Sequence, residues 1–198
     1  MQEVRTRSIK IIMLRLKEKY TKEVIPAMMK KFGYKNVMVV PNIEKVVVNT
    51  GFGRMIINKT SDEQKKAYKL IFDDLASICA QKPILTKAKK SISGFKLREG
   101  MSIGAKVTLR GRKMNDFLER VIHIALPRFR DFRGIDLKSF DKEGNLTIAI
   151  KEHIVFPEVS SEKAKNIFGF EITVVTTAKN KEESIELLRL LGFPIKHG

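Results

Sequence analysis

Between Thr86 and Lys113 the chain reads TKAKKSISGFKLREGMSIGAKVTLRGRK, nine Lys/Arg against one carboxylate, Glu99. Lys87, Lys89, Lys90, Lys96 and Arg98 flank a flexible SISG tip, with Thr86 and Ser91 among them. Cations at this spacing neutralise phosphates and release counterions, while hydroxyls and backbone amides add hydrogen bonds that fix register. Small residues between the charges let the backbone come close to a polyanion. Phe95 is either a stacking platform for a base or a core anchor for a neighbouring strand. Further on, SIGAKVTLRG alternates, so Ile103, Ala105, Val107 and Leu109 share one face of a strand. The other face then presents Lys106, Thr108 and Arg110 together.

Other candidate chemistry is thin. Gly51 and Gly53 in VVVNTGFGRMI follow a strand, but the third position of a dinucleotide-binding loop is Ile56. Those glycines suit a turn and a close backbone approach better. His123, His153 and His197 fall on different elements, with no ligand at metal spacing, and a surface or half-buried place is expected for each. Cys79 lies on an apolar helical face, which fits a core cysteine better than a nucleophile. No catalytic constellation and no cofactor site is expected, and the chain reads as a non-enzyme.

The whole composition agrees with a polyanion partner. The 198 residues carry a formal net charge of +17, and it is unevenly placed. Residues 1–140 hold 31 Lys/Arg and 13 Asp/Glu, while 141–198 hold 8 and 9. A one-sided field of this kind points to nucleic acid first and an anionic membrane surface second. The membrane reading needs a basic amphipathic helix, whereas the cations here sit on a loop and a strand. A nucleotide-dependent enzyme would rest on Gly51 and Gly53 alone. One cysteine excludes an internal disulfide, and no apolar run reaches the roughly 20 residues of a membrane span. A soluble, intracellular protein is expected.

These residues need a scaffold. Tyr20, Val24, Ala27, Met28 and Phe32 predict a helix over 13–32, kinked or broken at Pro26. Residues 36–50 read as extended, interrupted at Pro41. Thr60, Ser61 or Asp62 can cap a helix to Ala80 that buries Ala67, Leu70, Ile71, Leu75 and Ile78. Strands are expected near 83–86, 95–99 and 102–110, then a helix over 113–126 that ends before Pro127. Strands at 145–151 and 170–177 follow. A last helix runs from Asn180 to Gly192, with Glu183 completing a capping box. The order fits an α+β fold, a mainly antiparallel sheet with helices layered on one face. Residues 1–12 read as a basic N-terminal extension and 13–198 as one domain. Glu3 and the isoleucines argue against a transit peptide.

The strings QKPILTKAKKSISGFKLREGMSIGAKVTLRG, ALPRFRDFRGI, KSFDKEGNLTIAIKEHIVFPE and ITVVTTAK closely resemble large-subunit ribosomal protein five of the bacterial or organellar type, the 5S rRNA-binding family. The resemblance runs in order over about 14–194. It implies a structural protein of the ribosome's central protuberance, cytoplasmic in bacteria, with 5S rRNA, large-subunit rRNA and other protuberance proteins as neighbours. By motif it implies 5S rRNA contacts at Asn49 in VVVNTGFG, Gln81 in QKP and Thr108 in KVTLRG, beside Lys106 and Arg110. It implies that the 86–98 loop reaches the elbow of the P-site tRNA. It further implies that residues near 134–158 bridge to small-subunit protein thirteen. Cys79-Ala80 stands where the family commonly has a small polar residue and glycine, Thr50 and Arg54 replace the usual Met and Glu, and about six residues are added before Ala67.

Overall fold

The computed structural model describes residues 15–56, 61–130, 132–159 and 167–196, with 61 and 62 described by their backbone alone; the extension at 1–12, the cap side chains of Thr60, Ser61 and Asp62, and His197 lie outside what is described. Five strands form one sheet: β1 (Ile43–Gly51), β2 (Ile84–Lys87), β3 (Ser102–Leu109), β4 (Leu146–Ile150) and β5 (Phe170–Thr176), in the order β2-β3-β1-β5-β4. All four pairings are antiparallel. The expected α+β class is the one observed.

Alternation along each strand sends one set of side chains to a single core. Val46, Val48, Ala105, Val107, Leu109, Ile148, Ile172 and Val174 are buried there. Among the described residues four longer helices, with the short turn of helix Gly53–Ile56, cover them. The helix α1 comprises Leu16–Lys19, a π turn at Tyr20–Val24 and Ile25–Phe32, and α2 is Ser61–Cys79. The helix α3 comprises Gly111–Arg120, a π turn at Val121–Ala125 and Leu126–Arg128, and α4 is Lys181–Leu191. Phe117 of α3 stacks on Phe156 at 6.1 Å, joining the helix layer to the segment after β4.

Both expected proline breaks are bypassed, and by the same device. Ile25, just before Pro26, donates its N–H to the Tyr20 carbonyl, and Leu126, just before Pro127, donates to Val121. These five-residue bonds widen the helix where a proline ring would strike a carbonyl one turn back. Each helix therefore continues past its proline instead of stopping.

Other expectations are corrected. Leu70 is 48% exposed. At about 100° per residue it falls on the flank of the stripe formed by Ala67, Ile71, Leu75 and Ile78, and Cys79 takes the buried place. Residues 37–39 form an exposed 3₁₀ turn, held by Asn36 Oδ1 accepting the Met38 N–H at 2.9 Å, so extended structure begins only at Ile43. No strand forms over 95–99. Ser93–Phe95 is a 3₁₀ turn, and the only pairing near it is one bridge between Ile92 and Leu97. Glu183 accepts the N–H of Lys179 at 3.2 Å, not that of the N-cap Asn180, whose own side chain makes no cap bond. The close approach expected at Gly51 and Gly53 occurs at Gly104. A Cβ there would lie 2.6 Å from the Thr50 carbonyl oxygen and 2.7 Å from Thr86 Oγ1.

Candidate nucleic-acid interface

Among the described residues the helices leave the second face of the sheet uncovered. Register places Asn49 directly opposite Lys106, and Val47 opposite Thr108. Asn49 and Lys106 are exposed and Thr108 is half-buried, all on the side away from the core. Lys45 joins them from β1, and Ile84 (70% exposed) and Thr86 from β2. The expected alternation of β3 is therefore realised: a hydroxyl and a cation stand side by side over a rigid, hydrogen-bonded backbone.

Two of the expected residues are also tied into the fold. Gln81 donates its side-chain amide to the Thr108 carbonyl at 3.1 Å, fixing the turn after α2 against β3 and leaving the Gln81 side-chain oxygen as acceptor. Arg110 lies just past β3 as the N-cap residue of α3, and its guanidinium meets Glu44 at 3.1 Å. That hydrogen bond, with Lys45 alongside, holds the Glu44 carboxyl below the usual range. Arg110 thus borders the face with its charge partly matched.

The cationic loop is a hairpin extension of β2 and β3. Ala88 donates to Met101 at 2.8 Å, Ile92 and Leu97 exchange bonds at 3.0 and 3.1 Å, and the Glu99 N–H donates to Ser91 Oγ at 2.9 Å. These bonds close the hairpin around the buried Ala88 while its cationic side chains stay outside. Lys87, Lys89, Lys90, Lys96 and Arg98 are exposed, and none takes part in an ion pair among the described residues. Phe95 is 66% exposed and Ile92 45%, so the core-anchor alternative for Phe95 does not hold. Lys96 sits at φ 49, a left-handed conformation that turns the tip.

Sequence reasoning missed the far half of the open face. Strand β5 contributes Glu171, Thr173 and Val175, and β4 contributes Thr147 and Ala149, with Thr147 and Thr173 hydroxyls 3.2 Å apart. Their alternation is visible in FEITVVTT. The signal it lacks is the strand order that sets β5 beside β1.

Elsewhere no chemistry is assembled. Among the described residues no group of three or more His, Cys, Asp or Glu could hold a metal ion, and no helix is long and apolar enough to cross a membrane. Cys79 is buried in the core, which pushes its thiol up to about 12. His153 is fully buried, against expectation. It stacks on Phe168 at 4.1 Å, its Nδ1 accepts the Phe168 N–H at 3.4 Å, and its Nε2 stands 3.6 Å from Asp74.

Residues 36–98 match the family described as Ribosomal protein L5, and residues 102–195 match the companion family that describes the C-terminus of the same ribosomal protein. The chain is 51% identical over 179 residues to the large ribosomal subunit protein uL5 of Halothermothrix orenii, covering 90% of this chain and 97% of that one. It is 53% identical over 184 residues to the protein of the same name from Heliobacterium modesticaldum, covering 93% and 99%. The chain belongs to the ribosomal protein L5 family. The two matched regions share the sheet: β1 and β2 come from the first, β3, β4 and β5 from the second. The open face is thus built from both halves of an L5 chain.

Proposed function

We propose that the open sheet face binds 5S rRNA through Asn49, Gln81, Lys106, Thr108 and Arg110, and that the 86–98 hairpin contacts the elbow of P-site tRNA through Thr86, Lys87, Lys89, Lys90, Ser91, Lys96 and Arg98. As a member of the L5 family the chain is a structural, non-enzymatic constituent of the large ribosomal subunit and works in the cytoplasm. The observation that carries the finer reading is the register: Asn49, Lys106 and Thr108 stand together on an uncovered face, in a chain of net charge +17. Lysine supplies phosphate neutralisation there, and the amide and hydroxyl supply directed hydrogen bonds.

In this reading residues 13–198 act as one RNA-binding unit, with 1–12 as a basic extension. Large-subunit rRNA and other central-protuberance proteins are its neighbours. The segment 134–158 faces small-subunit protein thirteen, a protein partner that suits the near-neutral last third.

Purified protein should bind 5S rRNA with an affinity that falls steeply as salt rises, since each phosphate neutralised contributes a slope of about 0.7–0.9 in log K against log salt. Asn49→Ala should weaken that binding by about 1 kcal/mol without loss of thermal stability. A flat salt response, or unchanged binding by Asn49→Ala, would remove the sheet face from the interface.

A further inference from the structure

One residue of the open face has the wrong charge for a phosphate platform. Glu171 lies in the cross-strand row Ala149–Glu171–Asn49–Lys106–Ile84, on the second strand from the β4 edge. Its carboxylate is exposed and, among the described residues, has no hydrogen bond or ion pair. Its direct neighbours in the row are a methyl and an amide. The cation in the row, Lys106, stands two strands away, about 10 Å at ordinary strand spacing. A carboxylate pushed against phosphates lowers affinity, and glutamate is a poor strand former, so neither binding strength nor local propensity accounts for it.

A carboxylate that meets RNA is satisfied by a donor instead. The wide, shallow minor groove of A-form RNA, the surface a flat sheet face can approach, displays 2′-hydroxyls and base edges. Guanine adds an exocyclic amino donor there. We propose that Glu171, paired across the strands with Asn49, accepts a hydrogen bond from a donor group on the RNA and so selects the bound site, while Lys106 and the hydroxyls hold the backbone. This rests on the sheet face being the 5S rRNA interface. Asn49 offers both a donor and an acceptor beside the carboxylate, so the pair can read two adjacent edge groups. An RNA that presents only phosphate to this row is repelled.

The test compares wild-type protein with Glu171→Gln, a near-isosteric change at an exposed site, on 5S rRNA and on an unrelated folded RNA of similar length. The expected result is a loss of selectivity of about tenfold. Glu171→Gln should bind the unrelated RNA more tightly and 5S rRNA no better than wild type. If the variant gains equally on both RNAs, Glu171 only repels phosphate and the proposal fails. Partial random incorporation of inosine, or of 2′-deoxynucleotides, into 5S rRNA, followed by separation of bound from free molecules, identifies the donor. This arm uses Glu171→Ala, because glutamine keeps an acceptor oxygen: a position that interferes with wild-type binding but not with Glu171→Ala marks a guanine amino group in the inosine series and a 2′-hydroxyl in the deoxy series. Identical interference patterns for wild type and Glu171→Ala would overturn the proposal. Failure of the wild type to prefer 5S rRNA would instead bring down the sheet-face reading itself.

Discussion

The two faces of this sheet are made from the same strands, and neighbouring letters serve different ends. On β3, Val107 is buried in the core while Thr108 faces outward; on β5, Ile172 is buried and Thr173 is not. The covered face is aliphatic and closed by four helices. The open face carries short polar and aliphatic side chains, two lysines and a carboxylate, and among the described residues no helix lies over it. Parity along a strand therefore separates stability from binding, residue by residue. The 86–98 hairpin extends β2 and β3: its backbone is bonded to itself, and its cations meet no protein carboxylate among the described residues.

The division is sharpest in paired substitutions. Ile172→Ala, which empties a fully buried site, should cost about 2–5 kcal/mol in chemical denaturation. Its neighbour Thr173→Ala should cost no more than about 1 kcal/mol, the range of strand preference plus one exposed hydroxyl bond. Equal costs would mean that the outer face is packed as well. A second comparison sets sheet against hairpin. Replacing Lys87, Lys89 and Lys90 together by Gln should lower the log–log salt slope for tRNA binding by about 2, at 0.7–0.9 for each phosphate no longer neutralised. The same protein should keep its affinity for 5S rRNA. Parallel losses on both RNAs would merge the hairpin and the sheet into one site.

What the sequence made legible follows from period. The alternation over Ser102–Leu109 separated inner from outer residues on β3, and the helical stripes, Leu70 apart, located the core, whereas Phe170–Thr176 was legible only as a strand. Lys106 and Thr108 follow from that rule, whereas Asn49 and Gln81 come through the family resemblance. Three features escape it. The π turns at Tyr20–Val24 and Val121–Ala125 leave no mark beyond the proline that follows, which by itself argues for a break. The joining of β1 to β5 is a long-range pairing, so Glu171, Thr147 and Thr173 read as strand residues without a place in the site. The burial of His153 depends on α2 and the 167–170 segment closing over it from distant parts of the chain.

That histidine gives the covered side a pH response. Burial against Phe168 holds His153 below the ordinary 6.5, and the nearby Asp74 carboxylate opposes this only in part. Asp74 itself is raised by burial, with Asp73 beside it. The folded protein therefore keeps His153 neutral where the unfolded chain takes up a proton. Stability should be lost as pH falls below about 6.5, with a slope of at most ~1.4 kcal/mol per pH unit for one proton. The raised Asp74 acts in the opposite sense but in the carboxylate range, where it favours the folded state at the acid end. His153→Gln should flatten the slope between about pH 7 and pH 5, whatever it does to stability at neutral pH.

The smallest effect concerns the turn that delivers Gln81 to the open face. After α2 ends at Cys79, Ala80 adopts φ 49, the left-handed conformation in which helices commonly terminate on glycine. An alanine there sets its Cβ against the backbone, a cost of about 1–2 kcal/mol that glycine does not incur, less what glycine loses in unfolded-chain entropy. The position is held nonetheless by Lys113 Nζ donating to the Ala80 carbonyl at 3.0 Å and by Gln81 bonding to Thr108. Ala80→Gly removes the strain and keeps both bonds, since neither uses the methyl group. It should stabilise the protein by about 1 kcal/mol in denaturant titration and leave 5S rRNA affinity unchanged. If it lowers affinity instead, the strained turn is what holds Gln81 in register with Thr108, and the boundary between the stabilising and binding faces runs through Ala80 itself.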